Sequence, residues 1–157
     1  MGNERREADE RWAEGGRRDA VARILAIDPG LKRVGLAVSD SLGVTAQGLD
    51  TFEVGSGKEL IDYLRELVAR YGVQTVVVGL PLSMRGADIE GSGRSRALAG
   101  QIRELLGVEV VLRDERMTSL EAEKTLARGE RRSEKRDIDR LAAVLLLQGY
   151  LEEVSGR

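Results

Sequence analysis

The sequence predicts an α/β domain on a mixed five-stranded sheet, a three-stranded antiparallel meander followed by two parallel strands, with helices on both faces. Two observations lead there. Apolar residues alternate with period two early in the chain, and from Leu60 onward helical periodicity takes turns with β-branched runs. A length of 157 residues suits a single domain with a sizeable core.

The elements follow in order. Residues 1–20 are a run of mixed charge, from Glu4-Arg5-Arg6-Glu7 to Arg17-Arg18-Asp19, in which Trp12 is the one large apolar side chain. So little apolar surface cannot offset the entropy of ordering, and the expectation is a disordered tail before a domain over residues 21–154. Ile24-Leu25-Ala26-Ile27 reads as a buried strand, and Asp28-Pro29-Gly30 turns the chain. Val34, Leu36 and Val38 alternate as a second strand, and residues 44–54 supply a third. Leu60, Ile61, Leu64, Leu67 and Val68 then fall on one face of a helix. The run over residues 74–79 suits a central strand covered on both faces. A second helix is expected over residues 92–106 and a strand over 108–112, after which Thr118 and Glu121 fit a capping box opening a third helix. The last helix, residues 137–154, is apolar on nearly all sides between Leu141 and Leu147 and should be deeply packed.

Composition removes whole classes of chemistry. The chain has no cysteine, hence no disulfide framework, thiolate nucleophile or cysteine zinc site. It has no histidine, hence no histidine general base and no Ser-His-Asp triad. Hydrolytic chemistry would have to come from carboxylates, from Lys, Arg or Tyr, or from hard ions such as Mg²⁺ and Mn²⁺ held by oxygen. The net charge of -2 argues against a uniform nucleic-acid coat but leaves room for a local basic surface. No run approaches the roughly 20 apolar residues of a membrane span, and the charged start lacks a signal-peptide core. Arg6 stands where an N-myristoylation signal wants Ser or Thr. A cytoplasmic protein is expected.

Three acids stand at element ends: Asp28 after the first strand, Glu115 after the last strand and Asp139 near the start of the last helix. Singly, each has a bland reading as a turn residue, a loop acid or a partner of the helix dipole. Jointly they say more. Strand one and the last strand should end side by side if the first is central and the parallel crossovers are right-handed. Ala142 and Ala143 keep the face of the last helix small enough to approach the sheet near Asp139. Converging carboxylates repel one another and rise in pKa unless cations neutralise them. One or two divalent ions, a pair standing about 3.5–4 Å apart, would do so and would activate water against a phosphodiester.

Four blocks at these residues resemble the YqgF/RuvX family, relatives of the Holliday-junction resolvase RuvC in the RNase H-like superfamily. They are ILAIDPGLKRVGLAVSD (24–40), VVVGLPLSMRG (76–86), VLRDERMTSLEAEKTL (111–126) and DIDRLAAVLLLQGYL (137–151), and the resemblance spans about residues 23–153. The element order also suits the RNase H-like fold, without excluding other α/β folds. The resemblance implies a metal-dependent nuclease associated with 5′-end maturation of pre-16S ribosomal RNA, with Asp28, Glu115 and Asp139 as catalytic and metal-binding acids. Asp114 matches the same motif but should face away from Glu115, as a supporting residue. Two departures stand out. The family's Asp-aromatic-Gly turn is Asp-Pro-Gly here, closer to RuvC. RuvC carries a further acid three residues before its last-helix aspartate; that position is Arg136 here, and Asp137, about 200° round a helix from Asp139, is no substitute.

Nucleic acid would meet basic residues. Arg94 and Arg96 open the second helix, where arginine and the helix N-terminus both favour phosphate. The loop from Arg128 to Arg136 carries Arg131, Arg132 and Lys135 toward Asp139, and Lys32 and Arg33 follow the Asp28 turn as weaker candidates. Gly79-Leu80-Pro81-Leu82 is expected to shape a loop rather than touch substrate. With 3 % aromatic residues a base-stacking platform is disfavoured, and recognition should read backbone and shape. Three readings remain: a nuclease on ribosome precursors, a resolvase-like endonuclease on branched or single-stranded DNA, and a non-catalytic binding module. Monomer and homodimer are both compatible with the first; junction resolution needs a symmetric dimer. An actin-like ATPase, which needs two domains, does not fit the length.

Overall fold

The computed structural model describes residues 22–116 and 135–156. The alternating apolar run and the Asp-Pro-Gly turn form an antiparallel hairpin of β1 (Arg23–Pro29) and β2 (Arg33–Ser39), in register from Leu25↔Val38 to Pro29↔Val34. The meander's third strand is broken in two, β3 (Ala46–Gly48) and β4 (Phe52–Glu53), each paired with β2. Between them the chain is tied to a distant side chain. Arg140 donates through Nε to the Leu49 carbonyl at 3.1 Å and through Nη2 to Asp50 at 2.7 Å.

Helix α1 (Gly57–Tyr71) starts where the Ser56 hydroxyl accepts from the Glu59 N–H at 3.2 Å, and stops at Gly72, whose φ of 62° suits glycine. The chain continues as β5 (Val73–Leu80), α2 (Ser92–Leu106), β6 (Glu109–Asp114) and α3 (Lys135–Ser155). Strands β1, β5 and β6 run parallel. The sheet has six strands rather than five, in the order β3-β2-β1-β5-β6 with β4 also beside β2. The first and last strands do not end side by side as expected, because β5 pairs with both and stands between them. The mixed α/β architecture with helices on both faces is as the sequence predicts. The charged tail and the helix expected after Thr118 and Glu121 lie outside the described residues.

Period two divides the core unequally. Leu25, Ile27, Val34, Leu36, Val38, Val76 and Val78 pack on the face covered by α1 and α2. The opposite face offers only Ala26, Ala37 and Val77 to Ala143, Leu146, Leu147 and Leu151 of α3. Small residues there let α3 lie close against the sheet. Its burial is one-sided despite the all-round apolar sequence: Leu141, Val144 and Leu145 are half-buried. The closest approach is at Gly35, where a Cβ would collide with the Asp139 carbonyl oxygen.

Two glycine substitutions should therefore move stability in opposite directions. Gly100 lies inside α2 with nothing within 4 Å of a Cβ position, so Gly100→Ala should stabilise the fold by about 1 kcal/mol. Gly35→Ala should destabilise it by roughly 1–3 kcal/mol, because helix backbone has to give way. Urea denaturation of the two variants beside the parent measures both.

Candidate active site

Asp28 has the same parity as Ala26, so its side chain rises on the α3 face of β1. Its neighbour on β2 is Gly35, and one step beyond the Ile27↔Val78 pair its neighbour on β5 is Gly79. Neither presents a side chain. The gap over Gly35 is filled by the α3 backbone at Asp139, and the gap over Gly79 by the Glu115 carboxylate, which a Cβ there would strike. Two spacer glycines thus bring Glu115 and Asp139 toward Asp28 from opposite sides.

Glu115 is fixed by its own backbone: its N–H donates to the Leu80 carbonyl at 3.1 Å, carrying the β5–β6 pairing one residue further. Asp114 faces the other way, as the strand alternation requires. Its carboxylate accepts from the Arg116 N–H at 2.9 Å and from Arg116 Nε at 2.6 Å, while Arg116 Nη1 donates to the Met84 carbonyl at 3.0 Å. This brace ties the end of β6 to the loop after β5. At the base of that loop the Ser92 hydroxyl donates to the Pro81 carbonyl at 2.6 Å. Of residues 79–82, expected to shape a loop, Gly79 and Leu80 close β5 and only Pro81 and Leu82 enter the loop.

The electrostatics follow from burial. Asp28 is only 9 % exposed. Burial raises its pKa; the hydrogen bond with Glu115 pulls it back, and the charge of Asp139 pushes it up again. Glu115 is pushed up to about 10, first by burial, then by its hydrogen bond with Asp28 and by the charges of Asp28 and Asp114. In both carboxyls burial favours the protonated form. Glu115 Oε2 is buried and has no hydrogen-bond donor, so the charged form would be left unsolvated. Asp139 is turned to a cation, accepting from Arg33 Nε at 3.3 Å. Among the described residues no group of three acidic side chains is arranged to hold an ion as it stands.

The structure therefore gathers the three predicted acids but closes only two of them into contact. Of the basic candidates, Lys32 and Arg94 are exposed, and Arg96 is paired with Asp88 at 3.0 Å across a half-exposed surface. Lys135 opens α3, Asp137 is exposed in its first turn, and Arg131 and Arg132 lie outside the described residues. The spacer glycines and the Arg33 contact were missed from sequence. Parity holds a trace of the second, since Arg33, Gly35 and Ala37 share a strand face, but only register shows that this is the face of Asp28.

Comparisons with known proteins point one way. The model of a family described as "RuvX: Holliday junction resolvase" matches residues 22–153. A protein of Dictyoglomus thermophilum named as a candidate pre-16S rRNA nuclease is 42 % identical over 135 residues, covering 85 % of this chain and 97 % of the relative. One of the same name from Pelotomaculum thermopropionicum is 45 % identical over 133 residues, covering 83 % and 86 %. Among solved structures, RuvC of T. thermophilus in complex with a Holliday junction superposes with a TM-score of 0.57 at 18 % identity, covering 87 % of this chain and 97 % of that one. The fowlpox virus resolvase does so with 0.50 at 15 %, covering 84 % and 98 %. At such identities these two share the fold.

The raised pKa of Glu115 makes a pH prediction. Glu115 binds its proton more tightly folded than unfolded, so between its ordinary carboxylate range and about 10 the native state holds the extra proton. Stability of the ion-free protein should fall as pH rises through that window. Urea denaturation in EDTA should show the decline between neutral pH and about pH 9, and Glu115→Gln should flatten it. A parent profile that stays level would count against the proton.

Proposed function

The chain belongs to the RuvX family, and on that basis we propose that it is a divalent-metal-dependent nuclease hydrolysing phosphodiester bonds in 5′-end maturation of pre-16S ribosomal RNA. The observation that carries the chemistry is the buried Asp28–Glu115 pair with Asp139 beside it at the C-terminal end of the parallel strands. The names of relatives at 42 % and 45 % identity support the substrate.

The donor set fits a hard cation. All its ligands are carboxylate oxygens, one of them buried without a donor, and Gly79 leaves the space in which that oxygen sits. Asp28, Glu115 and Asp139 are the residues that would hold Mg²⁺ or Mn²⁺. When bound, such an ion supplies positive charge that polarises the phosphodiester and lowers the pKa of an attacking water. The chain's own residues do the rest. Asp28 and Glu115 would have to be ionised to hold a cation, so binding of any cation should strengthen as pH rises. The Leu80 carbonyl and the Asp114–Arg116 brace keep the Glu115 backbone fixed while its side chain changes charge. Lys32, Arg94 and Arg96, with Arg131, Arg132 and Lys135, are the basic residues proposed to meet the phosphate backbone.

Among the described residues no helix is long and apolar enough to cross a membrane. A ribosome-precursor substrate places the proposed work in the cytoplasm. A second reading, cleavage of branched DNA, is favoured by the description of the family model and by the likeness to RuvC.

Purified protein with Mn²⁺ or Mg²⁺ is expected to cleave a pre-16S leader RNA, and Asp28→Asn, Glu115→Gln and Asp139→Asn should each reduce cleavage to background. Leader RNA, single-stranded DNA and a four-way junction compared side by side decide the substrate. Preference for the junction would move the assignment to the second reading; metal-dependent cleavage surviving all three substitutions would remove the site.

A further inference from the structure

Of the two cations that follow the Asp28 turn, only Arg33 stands on the sheet face that carries the acids. Its backbone is held on three sides. The adjacent pair is Val34↔Pro29, Arg33 itself pairs with Glu53 of β4, and its carbonyl closes over Gly30 so tightly that a Cβ there would collide with it. The side chain is thus presented from a rigid strand end. Its contact with Asp139 uses Nε alone, at 3.3 Å, and the two side chains are 24 % and 31 % exposed. Among the described residues neither Nη nitrogen has a hydrogen-bond partner.

A partly exposed, single-nitrogen ion pair stabilises a fold little. Such a pair does not explain why a guanidinium is carried into a group of acids. Guanidinium is a planar fork of five N–H donors, and with Nε–H on Asp139 four N–H groups remain. They belong to a side chain already in contact with Asp139, one of the three acids proposed to act on a phosphodiester. A phosphate entering there meets negative charge from Asp139 and from the Asp28–Glu115 pair, and the nearest offset among the contacts described is Arg33. We propose that Arg33 is a phosphate-binding residue of this site: Nε keeps Asp139 in place, and the Nη groups take a non-bridging oxygen of the bound strand. The substrate class rests on the nuclease reading above; the contact itself requires only a phosphate backbone.

Binding measured without turnover tests the contact. In an Asp28→Asn background, fluorescence anisotropy of a fluorescein-labelled single-stranded leader RNA is followed in Mg²⁺ across a salt series. Arg33→Ala should weaken binding by roughly tenfold or more. It should also make the slope of log K against log salt shallower by about 0.7, the signature of one lost phosphate contact on a single strand. Arg33→Lys should keep the slope and lose part of the affinity, because it retains charge without the fork. Should Arg33→Ala fail to melt like its parent, Arg33→Gln takes its place. With active enzyme, Arg33→Ala should raise KM more than it lowers kcat. Unchanged affinity and slope in the alanine variant would overturn the proposal, as would a loss of affinity with no change in slope, which would leave Arg33 a holder of Asp139 only. Failure of the otherwise unsubstituted chain to cleave nucleic acid, with the slope change intact, would instead sink the nuclease reading and leave the contact standing.

Discussion

Asp28 occupies a row of the sheet whose flanking positions, Gly35 on β2 and Gly79 on β5, carry no side chain, and the rest of this pole depends on that gap. A methyl group at Gly35 would push the start of α3 away and take Asp139 with it. One at Gly79 would displace the Glu115 carboxylate. Interiors are packed too closely for either intrusion to be absorbed locally. The constraint reaches outward as well: α3 can lie flat only because Ala26 and Ala37 continue the row of small residues below the acids. The unequal thickness of the two core layers is therefore a requirement of the site.

The gap has an energetic consequence. It places two carboxyls in contact where both are buried, and burial raises the pKa of each. A buried carboxyl pair is weak support for a fold, since apolar residues of similar volume often serve as well or better. Stability here comes from elsewhere, chiefly the aliphatic layer under α1 and α2, whose Leu25, Ile27, Leu36 and Leu64 are fully buried. That layer can tolerate a polar pole which is held against its own preference for water.

Much of this was legible in the sequence. Strict alternation at Val34, Leu36 and Val38 and the helical spacing from Leu60 to Val68 read directly as the elements observed, because local periodicity and burial agree there. The three acids were legible as residues at element ends, and strand parity correctly turned Asp114 away from Glu115. What was not legible depends on partners far along the chain. At the break in the third strand stands Arg140, about ninety residues distant, which donates to the Leu49 carbonyl and to Asp50. Arg96 reads as a free cation until Asp88 is seen beside it. The glycines at 35 and 79 are ordinary in sequence and become specific only when register sets them on either side of Asp28.

Register also explains why the two faces of β6 divide their labour. Glu115, of one parity, enters the site; Asp114, of the other, is spent on Arg116 and through it on the Met84 carbonyl. One carboxylate is left buried beside Asp28 while its neighbour anchors the backbone that carries both. The hairpin shows the same division between Lys32, exposed to solvent, and Arg33, turned to Asp139. In each case adjacent residues of like charge are divided into one that faces the Asp28 group and one that does not. The motif is therefore doubled in sequence but single in space. A substitution that slipped either strand by one residue would exchange the two roles, putting Asp114 and Lys32 against α3 and leaving Glu115 and Arg33 on the wrong face.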